Sequence, residues 1–312
     1  MKSLLGRMVL PLLFVFILAA CNNAEGATTA EAESGNGEWP ESITLVQMPD
    51  ENNPTEAATM HTSLKEHISE ELGIEVQEFD GGSYAVGIEA MAAGNLDVML
   101  ASPMSYYQAK QKAGAELLVT PVVPGGTEYY TDFVTQADNE DINSLEDLKG
   151  TNFAFVNAAS SSGYLYPKAT LVQELDLDPD KIEQSGYFFE NVVFSEGHPN
   201  SLMGVAMGDY EAAAVAHQVM EMMGESDSFN PDDIKVIGRT SNIPDASYIV
   251  RGDLPEDFKK ALKDAFVSFE NEEYFEALHG DAGTRFEATE ADYYDPAIEM
   301  LDTINALEDV QE

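Results

Sequence analysis

Short runs of strand-forming residues alternate with longer stretches of helical periodicity along most of this chain, and they do so twice over. In the first set, Ile43–Val46 reads as a buried strand and Thr59–Leu72 as a helix closed by Gly73. Ile74–Phe79 and Leu96–Leu100 read as strands, Ala85–Ala93 and Ser105–Ala113 as helices, and Leu117–Val123 and Tyr129–Thr135 as further strands. A second set starts near Asp138. Ser144 looks like the cap of a short helix ending at Gly150, and strands follow at Phe153–Val156, Val192–Phe194, Ala212–Ala216, Ile234–Ile237 and Tyr248–Val250. Tyr164–Leu175, Asn200–Met207 and Val219–Met223 read as the helices between them, and Glu256–Leu278 and Tyr293–Leu307 as closing helices. Such alternation predicts an α/β architecture of mostly parallel sheets. Two sets predict two lobes, residues 39–137 with 243–312 and residues 138–242, facing each other across a cleft. In open α/β sheets a ligand lies off the carboxyl ends of the strands, against helix starts.

The first residues carry an address. Lys2 and Arg7 precede an apolar run from Met8 to Leu18, and Ala19, Ala20 and Cys21 follow. Charge, apolar core and small residues in that order describe an export signal over residues 1–20. Leu18-Ala19-Ala20-Cys21 resembles the lipobox of bacterial lipoproteins, which implies that Cys21 becomes the first residue and carries lipid. Cys21 is the only cysteine, so no internal disulfide is available and the fold must rest on its apolar core. Residues 21–38 lack apolar periodicity and read as a tether. The expected location is the outer face of the cytoplasmic membrane.

Charge narrows the partners. The formal net charge is −42, from 57 acidic and 15 basic side chains. Such a surface repels nucleic acid and anionic headgroups. It also gives no general attraction to an anionic ligand, so any anion site must be built locally. The carboxylates are scattered rather than clustered, without calcium-loop spacing, and His61, His67, His198 and His217 do not fall in a metal-binding pattern. No metal or other cofactor is expected.

The stretch that carries chemistry is Phe153-Ala154-Phe155-Val156-Asn157-Ala158-Ala159-Ser160-Ser161-Ser162-Gly163-Tyr164. A buried strand enters a turn of three serines and then a helix. Three hydroxyls, several N–H groups and the helix dipole would converge there without a cation, which suits a tetrahedral oxyanion. From these residues alone, plain capping by one serine explains the turn as well. A serine hydrolase elbow needs Gly-x-Ser-x-Gly, which is absent here because Ser162 is followed directly by Gly163. No enzymatic activity is expected.

The wider pattern adds to this. Asp147-Leu148-Lys149-Gly150, Phe153–Val156, Ala159–Leu165 with Pro167, Val192–His198, and Gly208–Val215 occur in an order that resembles the PhnD-type phosphate, phosphite and phosphonate-binding components of ABC transporters. Ser102-Pro103-Met104-Ser105-Tyr106 is similar to their first-lobe Gly-Pro-x-Ser-Tyr turn, and Glu89–Val98 to their helix-to-strand passage. The resemblance implies a two-lobed periplasmic-binding-protein fold of type II. It implies donation to a phosphorus oxyanion by Ser160, Ser161 and Ser162, by His198 from a neighbouring loop, and by Ser105 and Tyr106 from the first lobe. His61 falls near a position where members carry Tyr. It further implies a monomeric receptor with a permease and an ATPase as partners. Members that hold aminoalkyl phosphonates have an acid where this chain has Ala216, which argues against an ammonium-bearing ligand.

Overall fold

In the computed structural model, which describes residues 39–46, 54–79, 83–226 and 228–307, the strands form two sheets. The segments read as export signal and tether, with Cys21, lie outside the described residues.

The first sheet grows from β1 (Ser42–Val46), which pairs in parallel with β2 (Glu75–Glu78) and β3 (Val98–Ala101). Helices α1 (Pro54–Leu72) and α2 (Tyr84–Ala92) make the crossovers, and α3 (Pro103–Ala113) follows β3. Strand β4 (Glu116–Val122) ends this run. The chain then leaves for the second sheet. There β5 (Thr131–Gln136) and β6 (Asn152–Phe155) precede α4 (Tyr166–Leu175), β7 (Asn191–Phe194), α5 (His198–Met207), β8 (Ala212–Ala216), α6 (His217–Glu225) and β9 (Ile234–Arg239). Strand β10 (Ser247–Val250) returns to the first sheet, and α7 (Glu256–Val267), α8 (Glu272–His279) and β11 (Arg285–Ala288) complete it. The orders are β11-β4-β10-β3-β1-β2 and β7-β6-β8-β5-β9. A final helix, α9 (Ile298–Thr303), packs on α4.

Both sheets are mixed. β6, β7 and β8 are mutually parallel, but β5 is antiparallel to β8 and β9, and β10 to β3 and β4. The antiparallel β5 and β10 are the first strands laid down after each crossing between sheets. The lobe boundaries differ from the sequence expectation for the same reason. β5 was expected in the first lobe, yet all its pairing is in the second, so the chain crosses before Thr131 rather than at 137. Residues 243–312 do not all return to the first lobe either: Ala297, Leu301 and Ile304 are buried in the core built on Phe153 and Phe155.

Local chemistry accounts for the smaller differences. The closing helix expected over Glu256–Leu278 breaks because the Asn271 side chain accepts the Tyr274 N–H at 3.0 Å and starts a new helix. Strand β11 escapes a periodicity reading, because it has four residues and buries only Phe286. Ser144 does not cap the turn at Glu146–Leu148. Instead Asp147 reaches back and accepts from the Asn143 and Ser144 N–H groups and the Ser144 hydroxyl at 2.9 to 3.1 Å. Each lobe has an aromatic core. Phe153 stacks on Phe189 at 4.6 Å and meets Phe155 edge-on at 5.0 Å, while Phe266 and Phe275 close on Phe286 in the first lobe. Burying each ring stabilises the fold by about 1.5–3 kcal/mol. That burial fixes the strand ends on which the site is built.

Candidate functional site

At the carboxyl end of β6 the serine turn is held by its own backbone. Val156 N–H donates to the Gly163 carbonyl at 2.9 Å, and Ser160 Oγ accepts the Gly163 N–H at 3.0 Å. Ser161–Leu165 form a π-helical turn, with Leu165 N–H on the Ser160 carbonyl at 3.1 Å, and α4 follows directly. Gly163 is required by space: a Cβ there would stand 2.2 Å from Val156 Cβ and 2.5 Å from its Cγ2. The three serines are buried, at 1%, 0% and 3% exposure, so none is an idle surface hydroxyl.

Each serine has a different task. Ser160 caps the turn. Ser161 reaches across to the other lobe, where its Oγ accepts the Met104 N–H at 2.8 Å and donates to Ser102 Oγ at 2.9 Å. Ser162 Oγ lies 2.8 Å from His198 Nε2. The Ser162 carbonyl takes the Thr131 hydroxyl at 2.6 Å, tying the turn to the start of β5. Three helix starts therefore meet: α3 with Ser102 as its cap, the serine turn, and α5 with His198 as its first residue. Their dipoles put partial positive charge at one place on a strongly acidic protein.

His198 differs from expectation in two respects. It is the first residue of α5 rather than a loop residue, and it is buried at 5% exposure. It is also neutral. The Ala216 N–H donates to its Nδ1 at 3.0 Å, so that nitrogen carries the lone pair and the proton sits on Nε2. Burial pushes its pKa down to about 4. The Nε2–H therefore donates to Ser162 Oγ and leaves the Ser162 proton available for another acceptor. The same tautomer cannot take a proton from Ser162, so the pair orients a donor and does not activate a nucleophile.

The other expected residues are placed as follows. Tyr106 is buried in the first lobe, its ring 5.4 Å from those of Tyr107 and Tyr294, in the cluster that also holds Ala159 of the serine turn. Ser105 is occupied locally: its Oγ accepts the Ser102 N–H at 2.9 Å and donates to the Ser102 carbonyl at 3.1 Å. It acts on the site through Ser102. His61 packs edge-on to Tyr274 at 6.1 Å, beside His279, in the packing of α1 against α8 and away from the cluster that holds Ala159. Its helical position points it at the first-lobe core, which a linear motif cannot reveal. Beyond Ala216, His217 Nδ1 meets Asp132 Oδ2 at 2.7 Å, and Arg239 lies 3.3 Å from Asp132 Oδ1. Asp132 is wholly buried and opposite Val215, so the acid beside this strand end is already engaged by His217 and Arg239. Among the described residues, no group of three or more His, Cys, Asp or Glu could hold a metal ion. No described helix is long and apolar enough to cross a membrane.

Residues 47–294 match the family described as ABC transporter, phosphonate, periplasmic substrate-binding protein. The chain belongs to this family. It is 27% identical over 278 residues to the phosphate-import protein PhnD of Mycolicibacterium smegmatis, covering 85% of this chain and 83% of that one. The binding-protein component of a Pseudomonas aeruginosa ABC phosphonate transporter has the same fold, with a TM-score of 0.73 at 20% identity over 87% and 88% of the two chains. So does Prochlorococcus marinus PhnD1 in complex with methylphosphonate, with a TM-score of 0.71 at 20% identity over 85% and 98%. Family membership makes the chain an extracytoplasmic substrate-binding component of an ABC importer. The family pattern pointed to the serine turn and to His198. It did not point to the tautomer of His198 or to Ser161 joining the lobes, because both depend on contacts between segments distant in sequence.

Proposed function

We propose that the chain captures a small phosphorus oxyanion, a phosphonate, phosphite or phosphate, between its lobes and delivers it to the permease and ATPase of the importer. The observation that carries this is the Ser162–His198 bond at 2.8 Å, with Ala216 N–H on the far side of the ring. It makes a buried donor that carries no charge and needs no counter-ion, at a point where three helix starts converge. Hydrogen bonds to an anion in such a setting are about twice as strong as neutral ones. Similarity to a phosphate-import protein and to a methylphosphonate complex supports the same ligand class. An aminoalkyl phosphonate is disfavoured, since Ala216 offers its ammonium no acid and the nearby Asp132 is paired with His217 and Arg239.

Ser160, Ser161, Ser162 and His198 form the second-lobe side of this site, and Tyr106 approaches from the first. The receptor works as a monomer held at the membrane by lipid on Cys21, and it catalyses no reaction. A thermal-shift screen tests the ligand class, because an anion that binds only the folded state raises the melting midpoint. Phosphite, phosphate or methylphosphonate should raise it in a concentration-dependent way, with sulfonate and carboxylate controls inactive. No shift with any of the three would contradict the proposal. Release of the Cys21→Ala protein from membranes tests the anchor.

A further inference from the structure

The serine turn meets a further serine, on the first lobe. Ser102 Oγ accepts the Ser161 hydroxyl at 2.9 Å. It stands at the start of α3, whose Met104 N–H donates back to Ser161 Oγ at 2.8 Å. Ser102 is buried, and so are Ser105 and Ser161 beside it.

The protons of these hydroxyls are not equally well placed. The Ser105 proton goes to the Ser102 carbonyl at 3.1 Å, and the Ser105 oxygen takes the Ser102 N–H at 2.9 Å. The Ser161 proton goes to Ser102 Oγ. The Ser102 proton is left with Ser105 Oγ at 3.2 Å, outside the roughly 2.5–3.0 Å of a sound O–H···O bond, on an oxygen that already accepts an N–H. A hydroxyl rotates to suit its partners, so this proton can leave Ser105 for a better acceptor. An oxyanion seated beside Ser102 and Ser161 can draw both protons onto its own oxygens. One neutral bond between the lobes is then replaced by two bonds to a charge, one from each lobe. The dipole of α3 favours negative charge at the same point. His61, by contrast, packs against Tyr274, and Ser105 is held within its own helix start.

We infer that the Ser102 hydroxyl is a first-lobe donor to the bound oxyanion; this rests on the anion site proposed above. Ser102 and Ser161 are then the place where the ligand exchanges a contact between lobes for its own bonds to both, and binding favours the closed form by that difference.

Calorimetric titration of wild type, Ser102→Gly, Ser161→Ala and the double variant with methylphosphonate, phosphite and phosphate tests it. Glycine keeps a helix cap nearly as well as serine. Ser102→Gly should be folded at the titration temperature, though less stable because the Ser161 hydroxyl loses its acceptor. It should bind about 10-fold more weakly than wild type, and the double variant about 10-fold more weakly than Ser161→Ala, since a direct donor acts without Ser161. A loss below about threefold in either background would overturn the inference while leaving the anion site intact. Failure of the wild type to bind any of the three anions would remove the site and the inference together. Should the variants not fold, a crystal structure of wild type with methylphosphonate decides. Ser102 Oγ should lie within about 3.2 Å of a phosphonate oxygen, and a longer separation would overturn the inference.

Discussion

The Ser161 hydroxyl oxygen lies 2.8 Å from the Met104 amide nitrogen, so a serine of the second lobe caps the first turn of a helix in the first. Both groups are buried. The bond spans the line along which a two-lobed receptor opens, and opening must break it. Ser161→Ala leaves the Met104 N–H without its acceptor, at a cost of about 1–3 kcal/mol while the lobes stay together. The lobes of the anion-free variant should therefore separate more readily. Small-angle scattering should give a larger radius of gyration than for the wild type, and an unchanged radius would show that Ser161 does not hold the lobes.

Gly163 is predicted to be the least replaceable residue of the turn. A methyl group there would collide with Val156 Cβ and Cγ2 and come within 3.0 Å of Ser160 Oγ. Neither neighbour can move without dislodging β6 or the cap. Gly163→Ala should lower stability by about 1–3 kcal/mol or more, as overpacking of a tight core does, and abolish anion binding. Thermal melts and calorimetry on the same sample would show both effects.

Stability should depend on pH through His198. Its pKa falls from 6.5 to about 4 on burial, so the unfolded chain binds a proton that the folded chain refuses. The sign follows: the contribution is fully present above pH 6.5, declines as pH falls, and is gone by about pH 4. Its full size is about 3 kcal/mol. His279, also pushed down to about 4 by burial and by His61, titrates over the same window. Urea unfolding of wild type and His198→Gln between pH 7 and 4 separates the two, because the variant keeps only the His279 part. Since no imidazolium takes part, any change in anion affinity between pH 8 and 5.5 should follow the ligand's own second ionisation rather than a histidine.

The fold was largely readable from the order of elements, because buried strands such as Phe153–Val156 and Ala212–Ala216 carry their apolar runs openly. Glycines at Gly73, Gly94 and Gly208 mark helix ends and adopt the positive φ those ends need. The lobe boundary was not readable. Thr131–Gln136 has the composition of a strand in either sheet, and only pairing with β8 and β9 decides between them. At the site, Ser160 to Ser162 and His198 stand out in a linear motif, but their tasks do not. Three identical hydroxyls become a cap, a bridge between lobes and an oriented donor through contacts with Gly163, Met104 and His198, none of which a single sequence reveals. His61 and Ser105 show the converse, since a residue in the expected place can have its polar groups turned to its own lobe or its own helix start.

The oxyanion site is tested most directly by titrating wild type and Ser162→Ala with methylphosphonate, phosphite and phosphate in a calorimeter at constant ionic strength. Wild type should bind at least one of them at one site per chain, and Ser162→Ala, folded at the titration temperature though about 1–3 kcal/mol less stable because the His198 Nε2–H loses its acceptor, should bind that anion about 10-fold or more weakly. A wild type that binds none of the three, or a Ser162→Ala protein that binds as well as wild type, would contradict an anion site built on Ser162 and His198.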